Sequence, residues 1–581
     1  VIVRPGVLGS RLESRETGRS LWPGSLFDLV TGRRFAALAL PLDPEAARDV
    51  VPGAVFFEAF GRDYYGTIVR TLTEAGGDRC VPAGALTPEA DCVLLAWDWR
   101  RDLVEAAAQV DEVIAELRRL RGDPALRVDL VAHSAGGLVA RYFVRFGGRD
   151  VLDAAQPETL LDPAAAAAVR RVVLIGTPNY GSISTLQLAI TGNDLGFGLA
   201  TIPPEVMATM PSLFQLLPNP TRTWMIDSHG RRLEPDLFDP ETWRRFGWSI
   251  HDPAVRARIR AQAGGGAAAD AELARREAFF ARALARAARF HRALSFRLAT
   301  SASQYVVFGG DCALTPARCL LESVDGTVRI RLHPRDVRIR IPGVDYDALM
   351  LEPGDGRVTK ASLLARDTLD PASPQPGFFP IAYAVFICRD HAGLPGDPTF
   401  RDNLLNVLLY QERGGQPRRR GRWYRAPHRA RKERPVDPAS GLPATLNEAI
   451  ATEPLWLQAW VGLLVVTHLT ALLFAAGRRE GRFFVRPEAV AILVSFVAAG
   501  VFMGWLYERV GYVRLLGLAH LLFWGPVWLW LLLRRRAIGT DSLFGKYLLV
   551  YLAVAGASLG IDAIDVVRHL AGDGELLHRW S

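Results

Sequence analysis

Lysine is almost missing from this chain: Lys360, Lys432 and Lys546 are its three lysines in 581 residues, and arginine carries nearly all the positive charge. With abundant Ala and Gly, that bias points to a GC-rich bacterial genome. Cysteine is scarce too. None of the five (Cys80, Cys92, Cys312, Cys319 and Cys388) has the paired spacing of a zinc site, so no metal is expected, and no cofactor motif is present. Cys312 with Cys319, in one Gly/Pro-containing loop, and Cys80 with Cys92 are candidate disulfides that would imply an oxidising compartment; free buried thiols are the alternative. A net charge of +8 comes without a nucleic-acid reading module, and the basic residues gather in one linker, so no nucleic-acid partner is expected. The chain opens at Val1, already inside an apolar run and without an initiator Met, which suggests an incomplete or processed chain. Oligomeric state is left open.

Apolar residues make up 49% of the chain, and their excess lies after Leu455. At this length two or three domains are expected. Four apolar segments, Leu455–Ala476, Pro487–Tyr507, Val513–Leu533 and Tyr547–Val567, are each about twenty residues, enough to cross a ~30 Å hydrocarbon layer as helices. The loops Arg478–Arg486 and Arg534–Lys546 carry four basic residues each, which places them in the cytoplasm and the preceding domain on the exoplasmic (periplasmic) side of a bacterial inner membrane. The expected layout is a catalytic domain at 1–412, a basic linker at 413–453, four transmembrane helices at 454–569 and a tail at 570–581. The linker holds nine basic residues between Arg418 and Arg434, read as an electrostatic contact with anionic lipid headgroups. His468, His520, Asp562 and Asp565 fall in or near the apolar segments. Helix-to-helix hydrogen bonds are the preferred account of them over a binding site.

The N-terminal part centres on RVDLVAHSAGGLVARYFV, Arg127 to Val144. An apolar strand, Val128 to Ala132, breaks at His133-Ser134, and from Leu138 apolar residues recur at helical spacing. Strand, sharp turn and helix form the setting of a nucleophile elbow, which requires small residues two positions either side of the serine; here they are Ala132 and Gly136. Ser134 is the expected nucleophile. Strands and helices alternate before and after it, predicting an α/β fold with a mostly parallel sheet. Residues 182–295 break the rhythm with Gly/Pro loops, apolar clusters and a long Ala/Arg helix, as a cap or lid insertion would.

A serine nucleophile needs an acid and then a histidine later in the chain. His391 follows an apolar strand in FICRDHAGL, whereas its rival His333 lies inside the alternating run RIRLHPRDVRIRI. His391 is preferred. Asp355, flanked by glycines in EPGDGRV, is preferred over Asp325, which a hairpin turn explains. The oxyanion donors expected by position are the N–H groups of Ala135, after the nucleophile, and of Val7, in the loop after the first strand.

The segments VRPGVLGSRLE, SLWPG, AWDWR, AHSAGG, IGTPNYGS, GDGRV and DHAGL occur in that order between Val1 and Tyr410. Together they resemble the lecithin:cholesterol acyltransferase family, which includes phospholipid:diacylglycerol acyltransferases and a lysosomal phospholipase. The resemblance implies an α/β-hydrolase that takes an acyl group from a membrane phospholipid or other acyl lipid onto serine and passes it to an alcohol or water. It implies the same triad, Ser134, Asp355 and His391, and the same oxyanion donors. Two positions depart from the family pattern, Ala132 for the first elbow glycine and Arg357 where the acid motif usually has Thr. The four apolar segments have no counterpart in it.

Overall fold

The computed structural model describes residues 1–409 and 455–570, apart from 25–27, 29–31, 33, 44–48, 60–61, 76, 78, 196–199, 299, 325–326, 367–368, 370–376, 480–481 and 511–513. The basic linker, Asp325 and the tail lie outside the described residues, as does the side chain of Asp565. The chain forms two compact units, one holding the N-terminal α/β fold and one the C-terminal helices.

Seven strands build the central sheet: β1 (Ile2–Arg4), β2 (Cys80–Pro82), β3 (Cys92–Leu94), β4 (Val128–His133), β5 (Val169–Ile175), β6 (Gln304–Gly310) and β7 (Ile381–Ile387). Their spatial order is β7-β6-β5-β4-β1-β3-β2, and every neighbouring pair is parallel. A parallel sheet is covered on both faces, which is why all six residues of β4 are buried although the run is not strictly alternating. One face packs Val3, Val131, Val173, Val306 and Phe308 against Tyr65, Ile68, Leu394, Phe400 and Leu404. The chain runs from β1 out to β2 and β3, then returns to lay β4 on the other side of β1. In open α/β sheets such a reversal leaves a crevice at the carboxyl ends of the two strands, here after Arg4 and after His133.

Helix α1 (Leu103–Arg121) is capped by the Asp102 side chain, which accepts from the Val104 N–H, and closes on Gly122 in the left-handed conformation (φ 60°). Helix α2 (Ala135–Phe146) is buried along its whole length, Arg141 and Arg145 included. Neither arginine meets a carboxylate among the described residues. They donate instead to the carbonyls of Ala293, Leu294 and Phe296, at the end of helix α3 (Gly266–Ser295), where a helix has carbonyls without partners of its own. Burial lowers the Arg141 guanidinium well below its ordinary value, to about 9. Helix α3 closes the insertion between β5 and β6, so the expected insertion is tied directly to the helix that follows Ser134. A second insertion separates β6 from β7, and helix α4 (Pro398–Leu409) follows the sheet.

The disulfides partly correct the expected pairing. Cys80 and Cys92 are bonded, as cross-strand partners of β2 and β3. Cys312 is bonded to Cys388, not to Cys319. The register explains it: Gly310 of β6 lies opposite Ile387 of β7, so the residues just beyond the two strand ends are neighbours. Cys319 begins a buried strand (Cys319–Val324) and stays a free thiol whose pKa burial raises to about 12.

The C-terminal unit contains helices α5 (Leu455–Leu469), α6 (Pro487–Val510), α7 (Leu518–Ile538) and α8 (Leu543–Leu570). Among the described residues three stretches, Leu457–Ala475, Pro487–Leu506 and Leu543–Ala563, are long and apolar enough to cross a membrane. The expected segment Val513–Leu533 falls short of that measure. Its helix starts only at Leu518 and meets Arg534-Arg535-Arg536 after sixteen residues, a length of ~24 Å, with Pro526 inside it.

Candidate active site

Ser134 stands between β4 and α2 with φ 53° and ψ −125°, a conformation that L side chains rarely adopt and that costs ~1–3 kcal/mol. The turn is held because its surroundings leave no room to relax. The Ser134 N–H donates to the Ile175 carbonyl (2.8 Å), and a Cβ on Gly136 would lie 2.7 Å from the Arg4 carbonyl oxygen and 2.8 Å from that of Pro5. A Cβ on Gly6 would meet Ser134 Cβ at 2.7 Å. Glycine at 6 and 136 therefore lets the loop after β1 lie against the elbow. Ala132 is fully buried in β4 and is accommodated there as alanine.

The structure brings the three expected side chains together. His391 Nε2 is 3.0 Å from Ser134 Oγ, and His391 Nδ1 is 2.8 Å from Asp355 Oδ2. The other carboxylate oxygen, Oδ1, accepts from the N–H groups of Arg357 (2.9 Å) and Val358 (2.7 Å). Position 357 thus contributes its backbone to the acid. Burial pushes the Asp355 pKa up, but the His391 charge, its hydrogen bond and the two backbone donors outweigh that, and the carboxyl is held below its usual range. The His391 N–H also donates to the Asp355 carbonyl (2.9 Å). Gly176 (φ 53°) packs against this pair: a Cβ there would lie 3.0 Å from His391 Nδ1 and 3.1 Å from Asp355 Oδ2.

His333 takes no part in the cluster; it leaves the strand Thr327–Arg331 ahead of a short turn at Pro334–Asp336. Ala135 is the first residue of α2, so its N–H has no acceptor within the helix. Val7 follows Gly6 in the loop pressed on Ser134. Two tryptophans of the AWDWR segment hold that loop, with Trp97 Nε1 donating to the Pro5 carbonyl and Trp99 Nε1 to that of Ser10. A buried Asp98–Arg100 ion pair fixes the segment itself. Among the described residues no group of three or more His, Cys, Asp or Glu side chains is placed to hold a metal ion. A separate cavity of about 670 Å³, lined by Leu40, Arg101, Glu105, Phe279 and Arg286, includes none of the three triad residues.

No protein-family model matches the chain, and no curated protein matches it. Solved structures do. A chain of the Tle4–Tli4 complex aligns with a TM-score of 0.44 at 16% identity, over 70% of this chain and 97% of that one. The Bacillus licheniformis lipase BlEst2 aligns in its propeptide form (TM-score 0.24, 12% identity, 56% of this chain and 45% of that one). Its mature form gives 0.22 at 12% identity, over 55% and 80%. All are distant likenesses.

Two residues of the site carried no sequence signal. His133 and Tyr65 are buried beside the triad, and the His133 ring lies 4.9 Å from that of His391. A carbonyl only accepts, so His133 Nε2, 3.1 Å from the His391 carbonyl oxygen, carries a hydrogen. Burial, and then the charge of His391, lower the His133 pKa to about 3, so the ring is neutral and its Nδ1 accepts. The Tyr65 hydroxyl donates to that Nδ1 (2.8 Å) and itself accepts from the Gly6 N–H (2.9 Å). One ordered chain of hydrogen bonds thus runs from the loop holding Val7 to the backbone of His391. It also commits the Gly6 N–H to the Tyr65 hydroxyl. An aromatic and a histidine 68 positions apart give no pattern in the sequence.

Proposed function

We propose that the chain is a membrane-anchored serine enzyme that transfers acyl groups from lipid esters. The observation that carries this reading is the hydrogen-bonded series Ser134–His391–Asp355 on a strained elbow. Ser134 Oγ attacks the ester carbonyl while His391 Nε2 takes its proton, and Asp355 holds the resulting imidazolium. The oxyanion faces the Val7 and Ala135 N–H groups and the amino end of α2, an interaction whose loss costs ~10²–10³ in rate per donor. Collapse of the tetrahedral intermediate breaks the ester bond, His391 returns the proton to the departing alcohol, and an acyl-serine remains. An alcohol or water, deprotonated by His391, then takes the acyl group; the first outcome is O-acyl transfer, the second phospholipase activity.

Three apolar helices support membrane anchoring, and the anchor supports a lipid substrate met laterally in the same bilayer. The insertion before β6 is read as a cap over the crevice. Two disulfides in the α/β unit favour an exoplasmic position for it, in line with the basic loop at Arg478–Arg486, which follows the first apolar stretch. The test is labelling by a fluorophosphonate probe, with parallel assays on phospholipid vesicles and soluble short-chain esters. Labelling lost in Ser134→Ala and turnover favouring vesicles are expected. Labelling that persists in Ser134→Ala rules out the nucleophile, and preference for the soluble ester makes the protein a plain esterase.

A further inference from the structure

Polar side chains in the C-terminal unit line up. On α8, Tyr547, Tyr551, Ser558 and Asp562 follow one another at four, seven and four residues, one face of the helix, and cover ~22 Å of its length. Facing helices add His468 from α5 and His520 from α7. His520 Nδ1 meets Asp562 Oδ2 at 2.9 Å, and Ser558 Oγ donates to the same oxygen at 3.2 Å. The carboxylate rests on Gly517, where a Cβ would stand 2.9 Å from Oδ1. The Trp524 ring separates the two imidazoles, with centroids 3.8 Å from His520 and 4.2 Å from His468. The histidine rings are therefore no more than about 8 Å apart, with the Trp524 indole packed against both.

If these groups served only to join helices, they would pair with one another. They do so in part. His468 Nε2, Trp524 Nε1 and the Tyr551 hydroxyl are buried and have no hydrogen-bond partner among the described residues. His468 Nδ1 donates to the Leu464 carbonyl (2.8 Å), so Nε2 presents a bare lone pair. Unpaired polar atoms are strongly unfavourable in an apolar bundle, and a lone pair, an indole N–H and a hydroxyl are the partners an ordered water takes. At this level α6 contributes the apolar Phe496. Glu488 of α6 and Arg534 of α7 pair with each other at 3.3 Å, some ~21 Å along α7 from His520, and Asp565, one turn beyond Asp562 on α8, has its side chain outside the described residues. Tyr547 is committed to the Thr467 carbonyl.

We propose that the C-terminal helices form a proton path across the bilayer, with His520–Asp562 and His468 as its two proton-binding stations. The proposal rests on the membrane placement of these helices and is independent of the hydrolase chemistry. A proton from water binds His520, whose imidazolium Asp562 holds. It passes through water to His468 Nε2 and leaves to the water at Tyr551, restoring both rings. The test uses the full chain in liposomes with an entrapped pH dye and a potassium–valinomycin clamp, challenged with a pH step. Expected is equilibration at least about tenfold faster than in protein-free vesicles, falling to that background in Asp562→Asn and in His468→Gln. Each variant is read only where it elutes from detergent as a single species. Wild-type flux no faster than that of protein-free vesicles overturns the proposal without any variant, as does flux that both substitutions leave unchanged.

Discussion

Replacing Asp355 by Asn probes the candidate triad at the atom where its geometry is most demanding. Asp355 Oδ1 accepts the N–H groups of Arg357 and Val358, and Oδ2 accepts His391 Nδ1–H. Asparagine keeps one oxygen for the two backbone donors, so the loop stays in place. Its NH₂ then faces His391 Nδ1 as a donor. The imidazole must turn Nδ1 into the acceptor and carry its proton on Nε2, where it blocks removal of the Ser134 proton at 3.0 Å. The wrong tautomer and the lost counter-charge together cost ~10⁴ in kcat, about 5.5 kcal/mol of barrier, with KM changed less than about twofold. Initial rates on phospholipid vesicles and the rate of Ser134 labelling measure this. A variant keeping more than about a tenth of the wild-type rate refutes the assignment of the acid. Stability adds a pH signature. The Asp355 carboxyl is held below its ordinary value in the folded chain, so its contribution is complete above the unfolded pKa of ~3.9 and disappears as pH falls through the lower folded value. The gap in Tm between wild type and Asp355→Asn should therefore be level above about pH 5 and close in acid.

Tyr65→Phe removes the hydroxyl between Gly6 and His133 while keeping the ring; leaving two buried groups unpaired should lower stability by ~1–3 kcal/mol for each. It should lower kcat at nearly constant KM, and unchanged kcat would show that the hydrogen-bond chain has no part in positioning. Replacing Cys312 and Cys388 by Ser opens a link between positions 76 residues apart whose intervening chain carries Asp355, for a loss of about 4.5 kcal/mol on the chain-entropy account. Activity should fall with it, while the same change at Cys80 and Cys92 leaves activity near normal; equal effects would remove the special place of the bond beside His391. For the exoplasmic placement, a cysteine introduced in the Arg478–Arg486 loop should resist an impermeant thiol reagent in intact cells, and one in the 414–442 linker should react. The reverse pattern would put the α/β unit in the cytosol.

What the sequence determined by itself is what short stretches encode. The run into Ser134, the small residues around it and the helical spacing after it are local, so strand, elbow and helix are legible there. His391 and Asp355 were legible because each lies in a loop after an apolar segment, and the apolar C-terminal segments because hydrophobic length is counted along the chain. Whatever depends on which strands become neighbours was not. Cys312 meets Cys388 because β6 pairs with β7 in a register that sets Gly310 opposite Ile387; closeness in sequence to Cys319 had no bearing on it. Tyr65 meets His133 because the chain segment before β2 packs on the face of the sheet below the elbow. The sequence likewise showed His520 and Asp562 as isolated polar residues in apolar runs, with no binding pattern between them. Only the packing of α7 on α8 brings them to 2.9 Å, because helices choose their contacts by side-chain faces that a one-dimensional pattern does not pair.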